Sequence, residues 1–404
     1  MTDAIVDRER DFDLAAPNPS AMIESLRAFG YDLKTAISDL IDNSISANAR
    51  NIWIDANWAG CRTTICVTDD GLGMNRTELL EAMRLGSKNP LDPRDSADLG
   101  RFGLGLKTAS FSQCRNLTVR SKKSGESEAQ YCWDLEYVTK CGEWRVLKEI
   151  SPESEILFNR LADQVTGTAV LWQNMDRLVA GDETEDKKAL DLFLIQLEEV
   201  KRHLAMVFHR FLKGKKSIKI FMNDRAIDSW DPFLENHEAN QRQPQEILIV
   251  SGNKVIITPF VLPHHSKLSA EEHSLASGPR GWNSHQGFYI YRNYRLLVAG
   301  DWLGLGFQKE EHYKLARIQV DIPNSLDEDW AIDVRKARAN PPKAIRGDLK
   351  RIAKLARQTA ANIYRHRGKI VARKHSSPDM FVWLDKRRHG KHFYCSPFSK
   401  VGHG

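Results

Sequence analysis

Six cysteines are scattered through 404 residues without one CxxC pair, so neither a zinc ribbon nor a disulfide framework is expected to organise the chain. They read as buried thiols of a protein kept in a reducing compartment, and a cytoplasmic location is expected. No apolar run approaches the roughly 18 to 20 residues that a membrane-crossing helix requires. Residues 1–13 are polar and acidic, without a hydrophobic h-region, so no secretory signal is expected. Internal repeats and low-complexity tracts are missing too, which sets solenoids aside.

What remains is an ordinary globular composition, 41% hydrophobic and 28% charged, in a chain long enough for two or three domains. The charge is unevenly spread. Residues 343–391 hold fifteen Lys or Arg against three Asp and no Glu, a local balance of +12. The whole chain is only +6, so the remainder carries −6. The basic character therefore concerns a partner of one C-terminal segment rather than the fold.

Along the chain, residues 1–20 read as a flexible arm containing Pro17 and Pro19. Residues 21–49 have helical spacing, interrupted at Gly30 and Tyr31. Strands are expected at 51–54 and 63–68, then a Gly-rich loop at 69–74 and a short helix at 77–85. A polar stretch leads to a second Gly-rich loop at 100–105 and a helix at 106–113. Further strands are expected at 117–121, 131–137 and 168–172, completing an α/β domain over 21–175. A helical stretch at 190–212 and strand-like runs at 217–222, 246–250, 254–258, 287–291 and 316–321 make a second α/β domain, 185–342. The remaining 343–404 form a basic segment whose helix, to about 364, carries a narrow apolar stripe at 345, 349, 352, 356, 360 and 363.

Three clusters carry chemistry. In the first, Asp39 and Asn43 are four apart and share a helix face. An Asn oxygen ligates a hard cation while a carboxylate orients an attacking water, which suits a magnesium-bound polyphosphate. Alone, the pair reads more readily as surface residues of an amphipathic helix. The second, Asp69-Asp70-Gly71-Leu72-Gly73, follows a strand directly. A carboxylate there can accept an adenine amine, with glycines admitting the base, although by itself the motif reads more readily as a plain hairpin or loop. The third, Gly100-Arg-Phe-Gly103-Leu104-Gly105-Leu-Lys107-Thr108, opens a helix whose amides and dipole can cradle phosphates. A P-loop would need Lys directly after Gly105, where Leu106 stands. A dinucleotide fingerprint would need glycine at Thr108.

The order of the clusters is more specific than any one of them. It resembles the N, G1 and G2 boxes of the GHKL superfamily, with Gly167-Thr168-Ala169-Val170 as a fourth motif. The likeness covers about residues 20–345 and is nearest to the MORC and MutL-like branch, through SLRAFGYDLKTAISDLIDNSISA and DLGRFGLGLKTASFSQC. The run 287–296 is similar to core strands of that family's transducer domain.

The resemblance implies an α/β fold, a GHKL (Bergerat) sandwich followed by a transducer-type domain, with ATP and Mg2+ as cofactors. Asp69 would read the adenine amine with Thr168 beside it, and Gly71 and Gly73 would admit the base. Asn43 would ligate magnesium. Gly100, Gly103, Leu104, Gly105, Lys107 and Thr108 would cradle the phosphates, and 75–100 would be the lid. Asp39 would be the general base. Relatives usually have Glu there, so slow hydrolysis is expected. Lys336, in the run 330–338, would reach the γ-phosphate, unless that run is a solvated basic turn. The resemblance further implies an ATP-switched dimerising clamp, with DNA or a restriction or antiphage partner engaged through 343–394. An HSP90-type chaperone is the alternative. A histidine kinase fits poorly, since no His precedes Asp39. A near-miss zinc motif at His237-Glu238 lacks its second His, and His264 and His265 read as loop surface.

Overall fold

The computed structural model describes residues 15–28, 30–86, 105–178, 186–214, 217–332 and 339–375, with Asp13 and the short strands at 387–389 and 392–394. The first unit contains α1 (Pro19–Arg27), α2 (Leu33–Ser46), β1 (Asn51–Asn57), β2 (Thr64–Asp69), α3 (Arg76–Met83) and α4 (Gly105–Phe111). It continues through β3 (Asn116–Lys122), β4 (Ala129–Asp134), α5 (Leu135–Cys141), α6 (Pro152–Glu155), α7 (Asn159–Ala162) and β5 (Gly167–Gln173). The long α8 (Lys187–Val207) then leads to β6 (Lys219–Met222) and β7 (Arg225–Ala226). The second unit has β8 (Gln241–Arg242), β9 (Glu246–Val250), β10 (Asn253–Val261), α9 (Ala270–Ser277), β11 (Gly287–Arg292), β12 (Arg295–Asp301) and β13 (Ala316–Ile322). α10 (Arg346–His375) and the hairpin β14 (Arg387–His389) and β15 (His392–Tyr394) follow. The expected α/β class holds.

One sheet has the order β4-β3-β5-β2-β1-β6-β7, antiparallel except where β1 runs parallel to β6. Strand alternation sorts its side chains. Ile65 and Val67 of β2 join the main core under the helices, while Cys66 meets Phe158, Leu161, Ala169 and Leu171 on the opposite face. Both faces of β2 are covered, and every one of its residues is buried.

The second sheet runs β12-β11-β13-β10-β8, with β9 also on β10. Here too alternation decides the layers. Phe288 and Ile290 of β11 face a core shared with α10, whereas Tyr289 and Tyr291 join the core of the first unit. The second sheet is therefore sandwiched between α10 and the first unit, and the main core is continuous between the units.

Several local expectations are corrected. The run 217–222, placed in the second unit from its sequence, extends the first sheet as β6, because α8 supplies the crossover that a parallel strand needs. The strand expected to 137 stops at Asp134, whose carboxylate caps α5 by accepting from the amides of Glu136 at 3.0 Å and Tyr137 at 2.9 Å. The C-terminal helix runs on to His375. Its stripe is core, with Leu349, Ile352, Ala356 and Ala360 buried against the second sheet. Arg357, one of the fifteen basic residues, is buried as well, its guanidinium 3.6 Å from the Tyr313 ring centroid. His264 is buried rather than on the loop surface, while His265 is exposed. Among the described residues, no helix is long and apolar enough to cross a membrane.

Candidate functional site

α2 begins where Asp32 accepts a hydrogen bond from the Thr35 amide at 3.0 Å. Apolar residues Ala36, Ile37, Leu40 and Ile41 bury it against the sheet, and it also packs on α4 and α8. This burial takes two carboxylates with it, Asp39 and Asp42. The Asp39 Oδ2 is 3.8 Å from where a side chain on Gly105 would begin. Asn43, one turn further, is exposed. The helix thus places a buried carboxylate beside the N-terminus of α4 and an exposed amide one turn further on.

Asp69 ends β2 on the same face as Ile65 and Val67, so strand parity turns it toward α2. Its Oδ2 accepts from the Ser44 hydroxyl at 2.8 Å and its Oδ1 from the Gly71 amide at 2.9 Å. Burial pushes its carboxyl above the ordinary value, against the opposing pull of the Gly71 amide and the Ser44 hydroxyl. Thr168 is its partner across to β5. The Thr168 hydroxyl is 2.8 Å from that of Ser121, which accepts from the Met74 amide at 2.8 Å. Strand ends and the loop after β2 are knitted together.

The glycines of that loop are sterically required. A Cβ on Gly71 would come within 2.8 Å of the Ala47 carbonyl oxygen. Gly73 has φ +67°, and a Cβ there would lie 1.7 Å from the Lys122 carbonyl oxygen. The Leu72 amide donates to the Ala47 carbonyl at 2.9 Å, fastening the loop to the end of α2.

The structure therefore brings together Asp39, Asn43, Asp69, Gly71, Gly73, Gly105 and Thr168. Thr108 and Lys107 are buried in α4. The ammonium of Lys107, expected in the phosphate cradle, donates to the Ala82 carbonyl at 2.9 Å and so ties α4 to α3. Gly100, Gly103, Leu104 and Lys336, with the lid beyond residue 86, lie outside the described residues. Ser44 and Ser121 escaped the sequence reading. Ser44 is five residues from Asp39 on the same helix, but only the fold reveals that it reaches Asp69.

Residues 31–168, which contain all the described site residues, match the family of histidine kinase-, DNA gyrase B-, and HSP90-like ATPases. The chain is 28% identical over 181 residues to the ATPase morc-1 of Caenorhabditis elegans, covering 37% of this chain and 21% of that protein. It is 30% identical over 102 residues to the DNA mismatch repair protein MutL of Rhodopseudomonas palustris, covering 25% and 16%. With the chaperone protein HtpG of Bacillus velezensis it shares 33% identity over 105 residues, covering 24% and 16%. The chain thus spans about a fifth or less of the length of these curated relatives.

Proposed function

We propose, from the premise that residues 31–168 are a GHKL-type ATPase domain with MORC and MutL affinity, that the protein is a slow, magnesium-dependent ATPase acting as a nucleotide-switched clamp. The observation that carries this reading is the convergence of α2, the end of β2 and the start of α4, with Asp69 held by Ser44 and Asp39 beside Gly105.

Asp69 accepts the adenine amine, and Thr168 assists through water. Gly71 and Gly73 leave room for the base. The start of α4, from Gly105 to Thr108, offers amides and the positive end of its dipole to phosphate, with Gly100, Gly103 and Leu104 leading into it. Lys107, whose ammonium also meets the Ala82 carbonyl, completes the phosphate cradle with Thr108. Asn43, an exposed oxygen donor one turn from Asp39, suits a hard cation and would hold Mg2+. When bound, that ion would neutralise phosphate charge. Asp39 takes the proton from the attacking water. Its side chain is one methylene shorter than the Glu usual in relatives, so the water must sit closer or the helix must shift, and turnover is slow. Lys336 supplies charge to the γ-phosphate.

In the clamp, ATP brings two copies together, and the second unit, acting as a transducer, relays this to residues 343–394. That basic segment engages DNA or a DNA-acting partner such as a restriction or antiphage nuclease. Sedimentation of the protein with and without a non-hydrolysable ATP analogue tests the switch. A shift from monomer to dimer, or a tighter dimer, is expected, and truncation of residues 1–20 should blunt it. Identical profiles at micromolar protein would remove the clamp.

A further inference from the structure

A buried ion pair joins the helix of the proposed site to the second sheet. Arg295 opens β12, and its Nε donates to both carboxylate oxygens of Asp42, each at 2.8 Å. The two side chains are 3% and 1% exposed. Asp42 lies on α2 between Asp39 and Asn43, so whatever holds Asp42 holds that turn of the helix. The guanidinium is itself fixed, donating through Nη1 to the Leu296 carbonyl at 3.2 Å and lying 5.7 Å from the ring centroid of Phe208.

The backbone that delivers Arg295 is equally constrained. Asn293 and Tyr294 both have positive φ, 47° and 70°, the geometry of a two-residue turn that matches the twist of a hairpin. Arg292 and Arg295 are cross-strand partners at its tip. Arg292 is anchored by Asp327 at 2.7 Å, with side chains 1% and 5% exposed. The hairpin tip is thus pinned on both strands, and Arg295 cannot follow α2 freely. A buried pair of this kind is a poor stability device compared with apolar packing, because desolvation offsets attraction. It does impose one geometry on the elements it joins.

We propose that Arg295 is a positioning residue for ATP hydrolysis: through Asp42 it sets the seat of α2 on the second sheet, and with it the placement of Asp39 and Asn43. This rests on the reading of α2 as the helix carrying the base and the magnesium ligand. Through Arg295, unlike Lys336, the second unit contributes to catalysis without touching nucleotide, and a shift of the β11–β12 hairpin moves the base.

The test is a double-mutant cycle on the full chain, with Arg295→Lys, Asp42→Asn and their combination. Steady-state turnover of Mg-ATP, affinity for a fluorescent ATP analogue and the thermal unfolding midpoint are measured for each. Lys keeps the charge but not the fork. Folded Arg295→Lys should lose roughly tenfold to a hundredfold in kcat, with KM within about threefold of the parent. Added to Asp42→Asn, it should cause no further loss, since its effect runs through that carboxylate. Parental kcat in folded Arg295→Lys, a loss confined to KM, or losses that multiply in the double variant would each overturn the proposal. If Arg295→Lys does not fold, the neutral pair Asp42→Asn with Arg295→Gln replaces it, and parental kcat there overturns the proposal equally. Asp39→Ala is run alongside: undiminished turnover in that variant strikes the reading of α2 itself, whatever Arg295 does.

Discussion

The Ser44 hydroxyl on α2 donates to Asp69 at the end of β2 across 2.8 Å, joining two motifs 25 residues apart in the chain. The contact orients a buried carboxylate whose second oxygen is engaged by the Gly71 amide. It also links the proposed base-reading residue to the helix proposed to carry hydrolysis.

Asp69→Asn replaces an acceptor with an amide that presents a donor to the same buried partners. ATP affinity should fall by about 1–3 kcal/mol, several-fold to roughly a hundredfold. Isothermal titration of ATP into the variant checks this, and parental affinity would displace the adenine from Asp69.

Asp39→Ala and Asn43→Ala should separate hydrolysis from metal-dependent binding. Loss of a general base costs about 10² to 10⁴ in rate, so Asp39→Ala should retain ATP without turning it over. Asn43→Ala should in addition weaken binding in the presence of magnesium but change it little in EDTA. Rapid-filtration binding and phosphate release, measured on the same samples, distinguish the two.

Gly73→Ala meets two obstacles, a positive φ and the Lys122 carbonyl oxygen 1.7 Å from the new Cβ. Gly125 has φ +75° but nothing within 4 Å of its would-be Cβ. Gly125→Ala should cost only the left-handed backbone term, about 1–2 kcal/mol. Gly73→Ala should cost more and should also reduce ATP binding, because the loop after β2 must move. Equal denaturation midpoints for the two variants would contradict the close approach.

His209 is buried, with its Nε2 2.8 Å from the Tyr291 hydroxyl. Burial, reinforced by the Arg210 charge, pulls its pKa down from 6.5 to about 3. The unfolded chain therefore binds a proton below about pH 6.5 that the folded chain refuses, and stability falls as pH drops from there toward 3. One such group contributes up to about 1.4 kcal/mol per pH unit in that window. His209→Gln keeps a partner for Tyr291 without titrating. Urea unfolding at pH 7 and pH 5 should show a smaller stability difference in the variant than in the parent.

The basic segment should bind DNA with an affinity that falls steeply as salt rises, by a log–log slope of about −0.9 per phosphate contact. Neutralising Lys386, Arg387 and Arg388 together should lower the slope by about two to three units and leave ATP binding intact. Filter binding across a salt series reads this. No retention of DNA by the parent at low salt, with or without ATP, would assign the segment to a protein partner.

Much of this molecule is written locally. The four-residue spacing of Asp39 and Asn43 puts them on one helix face, and the order strand, DxGxG loop, helix is readable because each element has its own period and its own punctuation. The stripe from 349 to 360 likewise announces a helix with one buried face, and that face is buried. Period, however, states which residues share a face and is silent on what the face meets. Only the tertiary structure decides that Lys107 turns to Ala82 rather than outward, that Ser44 reaches Asp69, and that β6 closes onto β1 instead of joining the second sheet. The pairing of Asp42 with Arg295 spans 253 positions, with no local pattern to announce it. Such contacts follow from the need to bury Tyr289, Tyr291 and Leu296 in the core of the first unit, which carries the hairpin and its arginine onto α2. The chain's local chemistry supplied the faces, and the burial of apolar surface contributed by distant segments chose their partners.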